Sequence, residues 1–156
     1  MKIRAIYGRL ILIVLFARPV LAAKAPFSIH IAAIHNPVPS GVQITSTITN
    51  ISNREITLHI VNQCDYSMDV RDEHGKLRPE TLFKQNLDCS HPGSLTGRNM
   101  IIVLKPQEST SEEVSVSELF DMTNSGEYTV RVSRDVSVSK KDGVVKSNKI
   151  VVSVIR

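Results

Sequence analysis

Tryptophan is absent from this 156-residue chain, and aromatic residues of any kind make up only 4% of it. A folded core must then be mostly aliphatic, and the tryptophan that packs on the disulfide of antibody domains has no counterpart. No aromatic-plus-basic platform for stacking nucleic-acid bases can be assembled. Also missing are a phosphate-cradling glycine loop, a Gly-x-Ser-x-Gly elbow and an HExxH pair, and Glu73-His74 stands alone in a turn-forming stretch. The adjacent carboxylates Glu112 and Glu113 point to opposite faces of a strand, so they cannot share a substrate as general acid and base. These absences argue against an enzyme and against a bound cofactor.

No apolar run is long enough for a membrane span either. The longest, Leu10 to Phe16, is closed by Arg18 and Pro19, whereas a spanning helix needs about 20 mostly apolar residues. Residues 1–22 instead read as a cleaved signal helix. Lys2, Arg4 and Arg9 precede the apolar run, and Val20-Leu21-Ala22 and Ala23 supply the small residues for cleavage. The expected product is one domain, 23–156, exported to a periplasmic or secreted location with no stable membrane insertion. Export changes the charge. Four of the 19 basic residues, Lys2, Arg4, Arg9 and Arg18, leave with the leader, so 15 remain against 15 acidic ones. The balance is uneven along the chain. Glu108, Glu112, Glu113, Glu118, Asp121 and Glu127 form an all-acidic stretch, and Arg131, Arg134, Lys140, Lys141, Lys146, Lys149 and Arg156 outweigh Asp135 and Asp142 after it. Such runs are expected on solvated strand faces, where they partly compensate each other.

Apolar residues after Pro26 recur with period two, and Val, Ile and Thr are the enriched types. Phe27, Ile29 and Ile31 alternate with polar or small neighbours. Val42, Ile44, Ser46 and Ile48 then place one face inward and the threonines at 45, 47 and 49 outward. Further strands follow at Ile56 to Ile60, Met68 to Val70, Ile101 to Leu104, Thr110 to Val116, Gly126 to Val132 and Lys149 to Ile155. Turn formers separate them: Asn36 to Gly41, Asn50 to Asn53, Asp72 to Gly75, Lys105 to Gln107 and Lys140 to Gly143. Ser117 to Asp121 is the one helical turn expected, with Ser117 as N-cap. The pattern fades from Pro79 to Asn99, which reads as a long irregular excursion. Seven or eight short strands in an all-β antiparallel sandwich is the predicted fold.

Several segments resemble bacterial immunoglobulin-like modules: Asn50-Ile51-Ser52, Leu104 to Ser109, Leu119 to Met122, Gly126 to Val130 and Lys146 to Val152. The chain is similar over Val42 to Ile155 to the β-sandwich preceding the catalytic domain of deuterolysin-type metalloproteases, and to the sandwich of the intracellular proteinase inhibitor family. Gln107 stands where those families usually carry glycine. The likeness implies an immunoglobulin-like sandwich and an inhibitor-like role. In such a fold Tyr128 is expected to bond a backbone group near Asp121 to Asn124.

A non-catalytic module that binds another protein, through a sheet edge or the Pro79 to Asn99 excursion, is therefore the expected function. The alternative is a small metal-binding carrier. Copper sites in sandwich folds of the cupredoxin type use His, Cys and Met, and Cys89, His91 and Met100 are the cluster to test. Their mid-sequence position and the long spacing to Met100 depart from that pattern, and His30 and His35 read as ordinary surface side chains. Two cysteines in an exported chain favour a Cys64–Cys89 disulfide, which would stabilise the fold by roughly 3–4 kcal/mol through loop closure. The Cys64→Ser variant should accordingly unfold at lower urea than the wild type under oxidising conditions, and the two should converge once reductant is added.

Overall fold

The computed structural model describes residues 25–34, 41–60, 66–87, 100–136 and 143–155, with backbone alone at 59, 60 and 100. The expected leader 1–22 and both cysteines, Cys64 and Cys89, lie outside the described residues. Eight strands and two helical turns follow one another: β1 Phe27–Ile34, β2 Gln43–Asn50, β3 Ile56–Ile60, β4 Ser67–Asp72, α1 Leu82–Gln85, β5 Met100–Leu104, β6 Ser109–Ser115, α2 Val116–Leu119, β7 Gly126–Asp135 and β8 Val144–Val154. They form three antiparallel sheets in the orders β1-β2-β6, β3-β5 and β4-β7-β8, an all-β architecture of the sandwich kind.

The alternation read in the sequence sets which side chains meet. Phe27, Ile29 and Ile31 of β1, Ile44 and Ile48 of β2, Val114 of β6, and Val130 and Val132 of β7 all face one shared core. Each large aliphatic side chain taken out of water there contributes about 1.5–3 kcal/mol. On the outer face of the first sheet the threonines stay half-buried and pair across strands. The Thr47 and Ser111 hydroxyls lie 2.8 Å apart, as do those of Thr49 and Ser109.

The chain turns two corners at one point. β2 runs into β3, and β5 runs into β6, so the β3–β5 ribbon extends the β2–β6 ribbon past a joint at Asn50. The Asn50 amide is fully buried and uses every hydrogen-bonding position it has. Its Nδ2 donates to Arg54 O at 2.8 Å and Leu104 O at 2.9 Å. Its Oδ1 accepts from the Ser52 amide at 2.9 Å and the Ser52 hydroxyl at 2.7 Å. Its backbone pairs with Glu108 O and Gln107 N, both at 2.9 Å. Opposite it, Glu108 N donates to Lys105 O to close a turn with Gln107 at φ 67°. Pro106 followed by a residue at positive φ is the signature of a type II turn, and glycine is what that second position prefers. The expected turn is thus present, with Gln107 held in the left-handed region.

The far side of the sandwich is closed by a side chain. Two β8 residues, Ser147 and Asn148, face Val132 across a register shift. Val132 N donates to Ser147 Oγ at 3.0 Å, and that hydroxyl donates to Asn148 O at 2.6 Å. Such a bulge re-aims the side chains beside it, and here it is paired with an amide that reaches the other sheet. Asn148 Oδ1 accepts from Ile31 N at 2.8 Å, and Nδ2 donates to Ile31 O at 2.9 Å. The outer edges of β1 and β8 are thereby joined by a side chain acting as a peptide group.

At the β4–β7 end, Tyr128 Oη donates to Asn124 O at 2.8 Å, within the expected stretch. Arg78 lies over the Tyr128 ring with Cζ 6.0 Å from its centroid. Its Nε donates to Asp121 O at 2.9 Å, and its Nη atoms reach Asp72 Oδ2 at 3.4 Å and Asp121 Oδ2 at 3.3 Å. Both carboxyls are held below the ordinary carboxylate range. For Asp72 the main cause is the Lys76 amide, within the hairpin turn closed by Gly75 at φ 76°. For Asp121 it is the Thr123 hydroxyl, with Arg78 adding to both. Their contribution to stability is present above the usual carboxylate pKa and is lost as pH falls through the depressed folded values.

Three local expectations are corrected. The excursion from Pro79 is not irregular throughout: Thr81 Oγ1 accepts from Lys84 N at 3.3 Å and caps α1, and Glu80 bridges to Phe120. Ser117 is not the N-cap of the second turn, because α2 begins at Val116 after Ser115. Val42 O accepts from Val116 N and Ser117 N, so a backbone carbonyl from a distant segment occupies the role of a side-chain cap. A Cβ added at Gly41 would lie 2.0 Å from Ser117 Oγ, which leaves room for glycine alone at this φ of 83°. The charged runs, finally, are not wholly solvated, since Arg134 is buried and Glu112 faces inward.

Asn50→Ala should lower the unfolding free energy by about 2–4 kcal/mol, because it strands the Leu104 carbonyl in the core. Gln107→Gly should raise it by up to about 1 kcal/mol by releasing the left-handed strain. Urea denaturation followed by far-UV circular dichroism reads both.

Candidate interaction surface

Edge strands carry unpaired amides and carbonyls, and folded proteins blunt them with charge or cover. The second edges of β4 and β6 follow that rule. β4 presents Asp69 and Arg71, joined by Nε–Oδ1 and Nη2–Oδ2 contacts of 2.7 and 3.2 Å. β6 presents Ser109, Ser111 and Glu113. β5 does not follow it. Its sequence is Met-Ile-Ile-Val-Leu, and among the described residues β3 is its sole partner. Leu104 and Ile102 turn to the core, while Ile101 is 67% exposed and Val103 is 53% exposed on the other face. A strand apolar on both faces has the composition of one covered on both faces. Cross-strand Thr57 pairs with Val103, so the outer face next to this pair is open as well.

A second exposed apolar group lies on the corrected excursion, where Leu82 and Phe83 of α1 and nearby Leu77 face solvent. Its backbone is already used: Gln85 N, Asn86 N and Leu87 N donate to Thr81, Leu82 and Lys84 carbonyls. This helical turn offers side chains but no strand edge.

One polar cluster sits inside the sandwich. Tyr66, just before β4, hydrogen-bonds the Glu112 carboxylate of β6, and Arg134 of β7 stands over its ring with Cζ 5.7 Å from the centroid. Ser46 and Glu112 are cross-strand neighbours on the inward face, so the cluster ties the β1-β2-β6 sheet to the β4-β7-β8 sheet. Burial first, then the hydrogen bond and negative charge of Glu112, push the Tyr66 phenol well above the ordinary tyrosine range, against the opposing pull of Ser46 and Arg134. Tyr66 is 4% exposed and Arg134 is 9% exposed, so the cluster is closed to any substrate and works as a latch between layers.

The residues weighed for metal chemistry are not brought together. His30 is exposed on the outer face of β1, and His74 is exposed at the hairpin tip beside Glu73, its Nε2 3.5 Å from Oε1. Met100 opens β5, His59 lies in β3, and His35, Cys64, Cys89 and His91 fall outside the described residues. No group of three His, Cys, Asp or Glu side chains among the described residues is arranged to hold a metal ion. Among the described residues, no helix is long and apolar enough to cross a membrane. Sequence reasoning singled out a sheet edge without saying which. The signal was present in the uninterrupted apolar run from Met100 to Leu104, but its pairing had to be known to show that, among the described residues, one edge is left over.

No protein-family model matches the chain, and no curated protein matches it. The fold and the surface therefore carry the functional argument by themselves.

The Tyr66 proton gives a pH test. A phenol whose folded pKa is raised contributes stability that is complete below the ordinary value of about 10 and is lost as pH rises from there toward the folded value. The urea midpoint should fall as pH rises above about 10, and Tyr66→Phe should flatten that slope while costing about 1–2 kcal/mol at neutral pH.

Proposed function

We propose that this chain is an exported, non-catalytic protein-interaction module, an immunoglobulin-like sandwich of the cell envelope or extracellular space, that takes a partner polypeptide by strand addition along β5. The observation that carries the reading is the contrast among edges. Among the described residues, the second edge of β4 is partly covered by the backbone of Lys76 to Arg78 and β6 presents polar and charged side chains, whereas β5 presents Ile101 and Val103 beside a backbone edge that no described residue pairs. In strand addition the main-chain hydrogen bonds give affinity, and alternate side chains give selectivity. An extended partner with apolar residues at every second position would cover Ile101 and Val103 and satisfy the open edge together. The immunoglobulin-like reading is supported by eight antiparallel strands and by the Tyr128 hydroxyl bonded to Asn124 O.

Affinity capture from envelope and secreted fractions tests it, with wild type compared against an Ile101→Lys/Val103→Lys double variant. Both substitutions replace exposed side chains, so the thermal midpoint should move little. A partner enriched by wild type and reduced at least about tenfold by the variant, equivalent to roughly 1.4 kcal/mol, is the expected result. Equal enrichment by both proteins would remove β5 from the surface, and no enrichment by either would remove the interaction module itself.

A further inference from the structure

A different surface, the outer face of the β4-β7-β8 sheet, gathers four cations, three of which make no ion pair among the described residues. Along β7 the side chains of Val130, Val132 and Arg134 point to the core, so Thr129, Arg131 and Ser133 point outward. The register then fixes their neighbours. Arg131 lies between Asp69 of β4 and Lys149 of β8, Thr129 lies between Arg71 and Val151, and Ser133 pairs with Lys146. Four cations, Arg71, Arg131, Lys146 and Lys149, therefore share the middle band of this face with Asp69, while Glu127 and Asp135 lie toward its two ends. Asp69 is engaged by Arg71 through two contacts, and neither Arg131, Lys146 nor Lys149 makes an ion pair among the described residues.

Two features separate this band from an ordinary solvated strand face. Arg131 and Lys149 are directly opposite each other across antiparallel strands, where like charges destabilise the sheet. A single acidic replacement would turn that repulsion into attraction, so the present pairing is adverse to folding. Second, β8 interleaves the cations with apolar side chains. Val144 and Val151 are both exposed on the same outward face as Lys146 and Lys149. A uniformly charged polyanion would leave those valines uncovered. An extended polypeptide carrying acidic and apolar residues matches both, because its own side chains alternate at the spacing of the strands beneath it.

We propose that the outer face of the β4-β7-β8 sheet is a second docking surface, whose occupant is an extended protein segment of alternating acidic and apolar residues, lying across Arg131 and Lys149 with Val151 beneath its apolar positions. The proposal uses neither the β5 edge nor its partner, and it stands or falls separately from them.

The test uses the purified protein and fluorescein-labelled synthetic peptides: an alternating Glu-Val peptide, an alternating Lys-Val peptide and polyglutamate, with inorganic polyphosphate as a further competitor. The Glu-Val peptide should bind at low salt, weaken as ionic strength rises toward about 0.5 M, and outcompete polyglutamate and polyphosphate. Lys149→Glu should reduce its affinity at least about tenfold, and Val151→Ser should weaken it too. The thermal midpoint of Lys149→Glu should be no lower than that of wild type, because the variant replaces a repulsive cross-strand pair by an attractive one. Loss of binding with retained or increased stability separates a recognition role from a structural one. The Ile101→Lys/Val103→Lys protein should bind the Glu-Val peptide as wild type does. Failure of the peptide to bind would overturn the proposal, as would equal affinity for the Lys-Val peptide or preference for polyphosphate. Sedimentation showing that this face instead joins two copies of the chain, with the dimer lost in Lys149→Glu, would overturn it also.

Discussion

The architecture hangs on one buried carboxamide. A two-stranded ribbon that changes direction must break its ladder at the bend, and each broken rung leaves amides and carbonyls that the core cannot solvate. Asn50 fills that gap because an amide side chain offers two donors and two acceptor lone pairs on one short stem. It accepts from Ser52 and donates to Arg54 and Leu104, so four hydrogen bonds to three residues in two segments are made by one side chain. Neither Asp nor Leu could take its place: the first lacks donors, the second lacks both. The position of β5, and hence of the edge that no described residue pairs, is fixed through Leu104 at this joint.

Much of the layout was readable from alternation alone. Ile44, Ser46 and Ile48 could be assigned to the core, and Thr45, Thr47 and Thr49 to the outer face, because a period of two leaves no other choice once one face is buried. The turns at Asp72 to Gly75 and Lys105 to Gln107 were equally plain, since their chemistry is local. What escaped was the non-local and the very short. α1 spans a single turn, too little for a helical period to register against the strand pattern around it. The start of α2 differs from the expectation because Ser115 and Ser117 are equivalent caps on paper; the deciding acceptor, Val42 O, comes from the residue just before β2, far away in sequence.

The polar interior was illegible for the same reason. Tyr66, Glu112 and Arg134 sit on three separate stretches and look like ordinary surface residues, and Arg134 was read as one member of a basic run. Only the facing of β4, β6 and β7 reveals that they meet. The same holds for the candidate surfaces. The apolar character of Met100 to Leu104 is visible in any listing of the residues, but whether an apolar strand is internal or at an edge is a property of pairing. Charge on β8 was likewise visible, while the opposition of Arg131 and Lys149 follows only from register.

The seam between Ile31 and Asn148 joins residues 117 positions apart. Contacts at such separation close late, because the entropy of the intervening loop must be overcome before they return anything. A chain made from its N-terminus carries β1 long before Asn148 exists, so this seam cannot form until β8 has been made. Until then one side of β1 has no partner, and the nascent sandwich has an additional open flank that the finished molecule lacks. A truncation before Asn148 would leave β1 paired to β2 alone.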